Sequence, residues 1–337
     1  MTSARPSVNI LHGYHHPLFA PHFDPERDGF DLFENSHEDR VWDVVIAFEA
    51  VDSPLTLRVR GGNLVFISGE PPEIGNHAKA FLRQFDQIFC AGVTSGTAPM
   101  VSGKQHFNNW HFGYSRDSGY RYDHRFIKEL PAPEKHQALS TITSNLNYLP
   151  MHIKRRRLIE RLEQDYGDKI GIFGRPHRFV EYKEDAILDY RFHLCIENCS
   201  VPDLWTEKIA DALLSYAVPV YAGCTNIEDY FPGATIKIDL DDYAAARRTI
   251  DMILTEGEDL YRAHLPAVIE ARRKLIETFD ISALARRVLA ASHTRDAHSI
   301  TLRPEAAYPL AGLRSLLARG RRKVRTWIWR QRIARHG

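Results

Sequence analysis

The chain has 337 residues, 44% hydrophobic and 26% charged, with 44 basic against 43 acidic side chains. That length exceeds one core of about 100 to 200 residues and points to two domains. The composition excludes a disordered or fibrous chain, and the near-zero net charge excludes a general pull toward polyanions or nucleic acid. From the amino terminus, "VNILHG", "VWDVVIAFEA", "NLVFISG" and "FDQIFCAG" read as strands, with "HAKAFLRQF" a helix between the last two. Residues 93–140 carry scattered Gly, Ser, Pro and aromatics without periodicity, and are expected to form long surface loops with a few short elements. Their aromatics, between Phe107 and Phe126, suit stacking on sugar rings and loop packing equally well.

Beyond "PAPEK" the pattern becomes regular: strand "LSTITSN", a helix over 151–166, strands "KIGIFG" and "RFHLCIEN", helix "TEKIADALLSYA", strands "VPVYAG" and "TIKID", then helices to about Ala291. Apolar strands without alternation imply burial on both faces, as in a parallel sheet covered by helices. The expected division is an amino-terminal domain over 1–138, a carboxyl-terminal domain over 139–300 and a tail over 301–337. In that tail, "GLRSLLARGRRKVRTWIWRQRIARHG" (312–337) holds nine Arg or Lys and no acid, with an apolar stripe through Leu313, Leu316, Leu317, Val324, Trp327 and Ile328. Peripheral contact with an anionic membrane is the first reading, each basic residue contributing about 1 kcal/mol near the headgroups. A solvated or self-packed helix and nucleic-acid binding are the alternatives.

Cys90, Cys195, Cys199 and Cys224 form no CxxC or metal-ligand spacing, which fits a reduced compartment. No signal-like stretch opens the chain and no run of about 18 apolar residues occurs, so a cytoplasmic location is expected. "HGYHHPLFAPH" lacks the spacing of a metal site, "DLDD" (239–242) sits where helix caps are expected, and "GIFGR" lacks the GxGxxG spacing of a phosphate loop.

The stretch "ENCSVPDLWTEK" joins a buried strand to a helix that repeats Ile209, Ala212, Leu213, Tyr216 and Ala217 on one face. Ligands of open α/β sheets bind beyond the carboxyl ends of strands, where a helix start offers free N–H groups to anions. Glu207 suits that first turn; Lys208 opposes the helix dipole there, which a phosphate or exposure to water would explain. In "KRRR", Arg155 continues the inward stripe of Leu158, Ile159 and Leu162, so its cation must be paired or face a cleft.

These residues resemble the α-1,3/α-1,4-fucosyltransferases, glycosyltransferase family 10 in its bacterial type. The resemblance rests on "SNLN" (144–147) followed by Arg155, then "YRFHLCIENCSVPDLWTEKIADALLSYAVPVYAG", then "NIEDYFP" (226–232), all within about residues 140–243. It implies an α/β fold of the GT-B type, two Rossmann-like domains facing across a cleft, with the donor GDP-fucose in the carboxyl-terminal one. Arg155 and Lys208 would bind the diphosphate, Glu207 hydroxyls of sugar or ribose, and Asn198 the nucleotide pocket, with Ser144 and Asn145 lining the donor site. One departure is Leu204, where the family has Tyr; Trp205 stands beside it.

More faintly, "FISGEPPE" aligns Glu70 with the family's general base, with Glu73 and Glu49 as competing carboxylates and Pro71 and Pro72 stiffening the turn. The implied reaction is an inverting displacement in which an acceptor glycan or glycolipid hydroxyl, deprotonated by Glu70, displaces GDP. Cationic side chains would neutralise the leaving group, so no tightly bound cofactor or metal is expected, with room for non-essential stimulation by a divalent ion. The rival readings are a GT-B transferase using another nucleotide sugar, favoured by Leu204, and a non-catalytic, membrane-associated nucleotide-sugar-binding protein.

Overall fold

A computed structural model describes residues 5–70, 77–91, 98, 100–102, 109–175, 177–291 and 296–308. The first strands are β1 (Ser7–Leu11), β2 (Asp31–Glu34), β3 (Val41–Trp42), β4 (Val44–Phe48), β5 (Leu55–Arg60), β6 (Leu64–Ser68), β7 (Gln87–Cys90) and β8 (Met100–Ser102). Six of them stand side by side in the order β2-β1-β4-β6-β7-β8, every pair parallel. β1, β4 and β6 are buried at every position, because alternate side chains enter two different cores. Val8, Ile10, Val44, Ile46 and Val65 face one way, while Val45, Ala47, Leu64 and Phe66 face the other.

"VWDVVIAFEA", expected as one strand, is two. Asp43 interrupts it, its carboxylate taking the Ser7 N–H at 2.8 Å and Arg60 Nε at 2.7 Å, and β3 pairs with β5 outside the main sheet. Two short helices, α1 (Pro25–Asp28) and α2 (Lys79–Leu82), complete this part. The helix expected over "HAKAFLRQF" is thus a single turn, whose Ala78 start has no side-chain cap of its own.

The expectation of surface loops before residue 140 needs correction for 109–130. A hairpin of β9 (Tyr114–Ser115) and β10 (Gly119–Tyr120) and helix α3 (His124–Glu129) follow Trp110 and Phe112, which at 1% and 0% exposure belong to the carboxyl-terminal core. Aromatic bulk without periodicity here fills a seam between halves, and Trp110 and Phe112 are core residues rather than sugar platforms.

The second half runs β11 (Gln137–Ile142), α4 (Pro150–Tyr166), β12 (Ile170–Phe173), β13 (Tyr190–Ile196), α5 (Glu207–Leu214), β14 (Val218–Ala222), β15 (Ile236–Lys237) and α6 (Tyr243–Glu277). Its five strands are all parallel in the order β12-β11-β13-β14-β15. Gly174 ends β12 at φ 116, and a Cβ there would meet the Thr143 carbonyl oxygen at 1.9 Å, so glycine is required for that close approach. α6 stays continuous through Pro266.

The chain then returns. Ile281, Leu284, Ala285 and Val288 of α7 (Ile281–Ala291) pack on Val8, Ile10 and Val44, and β16 (Ala297–Leu302) pairs antiparallel along β5. Residues 281–300, expected in the second domain, therefore belong to the first: their apolar face completes the amino-terminal core. Arg27 of α1 ties the crossing point, reaching the Ile276 carbonyl at 2.9 Å and Asp280 Oδ2 at 3.0 Å. The whole is the α/β GT-B arrangement, two parallel sheets flanked by helices with a cavity between the halves.

Candidate active site

The cavity, about 520 Å³, opens between the carboxyl ends of β4 and β6 on one side and of β11 and β13 on the other. Glu49, Gly69 and Glu70 reach it from the first half, and Ser144, Arg155, Asn198, Leu204, Glu207 and Lys208 from the second. Asn145 is exposed and does not line it. Pro71, Pro72, Glu73, Phe107 and the tail 312–337 lie outside the described residues.

Arg155, in the second turn of α4, is 5% exposed on its inward face with Leu158, Ile159 and Leu162. Its neighbour Arg156 turns outward to Glu160 at 3.2 Å. The Arg155 guanidinium donates only to neutral oxygens, Asn198 Oδ1 at 3.4 Å and Ser144 Oγ at 3.2 Å, and its Nε has no partner. Burial pulls its pKa down, and the more distant Glu197 and Glu207 pull it back. Among the described residues no carboxylate lies within ion-pair distance of this buried cation, an arrangement that an anion in the cavity would complete.

Lys208 differs from expectation. It lines the cavity already paired, its Nζ contacting Thr206 Oγ1 at 3.0 Å, Glu207 Oε1 at 3.2 Å and Glu197 Oε2 at 3.4 Å. Burial opposes its charge, but Glu207 and Glu197 raise its pKa above the usual lysine value. This pairing is what offsets the helix dipole at the start of α5. Glu207, which burial alone would push up, is held well below the usual carboxylate range by Lys208 and Lys183.

Glu197, to which the sequence assigns no role, braces the start of α5. Its buried carboxylate accepts the Thr206 N–H at 2.9 Å and the Thr206 hydroxyl at 2.7 Å, fixing the residue that precedes α5. Gly223 permits this, since a Cβ there would meet Glu197 Cγ at 2.4 Å. Lys183 was also missed: it reaches His111 Nδ1 at 3.0 Å, Asp211 Oδ2 at 3.2 Å and Glu207 Oε1 at 3.6 Å. Only three-dimensional proximity joins these residues; Asp211 is buried although it lies across α5 from Ile209 and Leu213, where periodicity places a solvated acid.

Glu70 is exposed to the cavity just past β6. Partial burial raises its carboxyl pKa, Lys208 across the cleft lowers it, and Glu207 raises it again. Leu204 lines the cavity, whereas Trp205 is turned into the core against Phe231 and Phe279, so Trp205 does not take the place of the family's Tyr. Asp242 caps α6 by accepting the Ala245 N–H at 3.0 Å, and Asp239 Oδ1 accepts the Asp241 N–H at 2.8 Å; these carboxylates serve a helix start.

Residues 132–266 match the family model described as Glycosyltransferase family 10 (fucosyltransferase) C-term. The human 4-galactosyl-N-acetylglucosaminide 3-alpha-L-fucosyltransferase 9 (Homo sapiens) is 28% identical over 158 residues, covering 43% of this chain and 42% of that protein. Alpha-(1,3)-fucosyltransferase B of Drosophila melanogaster is 26% identical over 141 residues, 41% of this chain and 28% of that protein. The chain thus spans less than half the length of these relatives. A solved alpha1,3-fucosyltransferase with GDP-fucose aligns over 84% of this chain and 94% of its own, at 16% identity and a TM-score of 0.49. The matched segment contains β11 to β15, α4 and α5, and with them Arg155, Asn198, Glu207 and Lys208. The stretch that carries these residues is therefore the one that matches the carboxyl-terminal model of glycosyltransferase family 10, the fucosyltransferase family.

Proposed function

We propose that the chain is an inverting glycosyltransferase that moves fucose from GDP-fucose to a hydroxyl of an acceptor glycan or glycolipid, forming an α-1,3 linkage. The observation that carries this reading is Arg155, a buried guanidinium with neutral partners only, facing the cavity of a family 10 domain. In the reaction Glu70 takes the acceptor proton, the acceptor oxygen bonds to the anomeric carbon, and the bond from that carbon to the diphosphate oxygen breaks. Arg155, Lys208 and first-turn N–H groups of α5 take up the charge that develops on GDP. Glu207 and Asn198 hold hydroxyls of the donor. Glu70 is suited to its part because partial burial makes it a stronger base than a free carboxylate.

Calorimetric titration with GDP-fucose, GDP-mannose and UDP-sugars tests the donor. Binding of the guanosine nucleotides with GDP-fucose preferred is expected; tight binding of a uridine nucleotide and none of GDP would remove the fucosyl assignment. That second reading, a different nucleotide sugar, is favoured by Leu204 on the cavity wall. The basic segment 312–337 enters as a contact with the cytoplasmic face of an anionic membrane, with reduced vesicle binding expected when it is removed and undiminished binding counting against it.

A further inference from the structure

The cavity holds a second carboxylate that this chemistry leaves unused. Glu49 follows β4, and the register that pairs Phe48 with Ile67 brings it beside Ser68. Its backbone is left-handed, φ 66, a conformation that side chains other than glycine rarely adopt and that gathers at functional sites. One carboxylate oxygen accepts the Ser68 hydroxyl at 2.9 Å and the other the Gly69 N–H at 2.5 Å. Ser68 Oγ in turn accepts the Glu70 N–H at 3.3 Å. One half-buried carboxyl thus ties three successive residues, the last of them Glu70.

We infer that Glu49 is a positioning residue: it fixes the turn that aims Glu70 into the cleft, and does so when ionised, with both of its oxygens free to accept. This rests on the reading of Glu70 as the base. The groups that face Glu49 are Glu70 on the turn after β6, His77 ahead of α2, Cys90 at the end of β7 and Tyr14 after β1, while Lys208 and Glu207 face Glu70 from the second half. Burial lifts the Glu49 pKa to about 7, against the bonds from Gly69 and Ser68 and with the help of Glu70. Its charge therefore changes over roughly one pH unit either side of that value, and below it one of the two acceptor oxygens carries a proton.

The test compares full-length E49Q, S68A and E70Q with the parent. The readouts are calorimetric binding of GDP-fucose, thermal melting, and GDP release against pH with N-acetyllactosamine, or otherwise water, as acceptor. E49Q should keep its GDP-fucose affinity, lose about tenfold or more in kcat, and shift the acid limb of kcat/KM to lower pH. S68A, which cuts the link but keeps the charge, should lower kcat and leave the limb in place. E70Q should be inactive. An E49Q protein with unchanged kcat, or with reduced kcat and an unmoved limb, overturns the proposal; should E49Q fail to fold, an S68A protein with parental kcat overturns it instead. Parental turnover in E70Q is a separate outcome that removes the base assignment and this proposal with it.

Discussion

At the scale of residues, the two cations expected to share a diphosphate stand in different states. Lys208 is already paired with Glu197 and Glu207, whereas Arg155 has only neutral partners. A ligand anion must therefore compete for Lys208 but is met unopposed by Arg155, and the larger share of the binding energy should fall on Arg155. Glu197→Ala removes the acceptor for two Thr206 donors and one partner of Lys208, and should lower stability by about 1–3 kcal/mol, read from denaturant unfolding. Unchanged stability would mean that Glu197 does not fix the start of α5. Glu70→Gln should cost at least about a hundredfold in kcat while sparing donor affinity, checked by GDP release and calorimetry together.

At the scale of elements, Thr206 stands at the start of α5 with its Oγ near the Lys208 N–H at 3.4 Å and its proton on Glu197. Thr206→Ala should destabilise by about 1 kcal/mol and weaken donor binding as the first turn loosens; thermal melting and calorimetry decide both parts. The strands of the second half were legible because β13 from Phe192 onward and β14 through Tyr221 are mostly apolar and buried on both faces. β5 was missed although "LTLRVR" alternates, with Leu57 and Val59 inward, and β16, "AHSITL", hides because its partner β5 is adjacent in space but far earlier in the chain, Leu302 pairing with Leu55. Arg155 was legible from helical periodicity, and its isolation from carboxylates was not, since periodicity places a side chain on a face without naming what stands opposite.

For the whole molecule, the returning α7 and β16 bind the end of the chain to the first half, and Arg27, Asp28, Asp280 and Arg286 join there into one network. His22, His111, His124, His152 and His193 are all held by burial below the usual histidine pKa of 6.5. The unfolded chain binds protons at these rings that the folded chain refuses, so stability is lost as pH falls from about 6.5 toward 4. Glu49, Asp211 and Asp280, each raised by burial to about 7, act in the opposite sense as pH falls from about 7 toward 4.5. Glu70 and Glu184 act in the same sense as these carboxyls but are raised by less, so the five imidazoles prevail and the melting temperature should be lower at about pH 5 than at about pH 7; a higher one would contradict the burial of these rings. The central claim, that Arg155 receives the diphosphate of a guanosine nucleotide, is tested most directly by calorimetry of GDP, GMP and guanosine with the parent protein and with Arg155→Ala. The account predicts that GDP binds far more tightly than guanosine to the parent, and that the variant loses about ten- to a hundredfold for GDP and little for guanosine. Equal loss for all three ligands, or none for GDP, would contradict it.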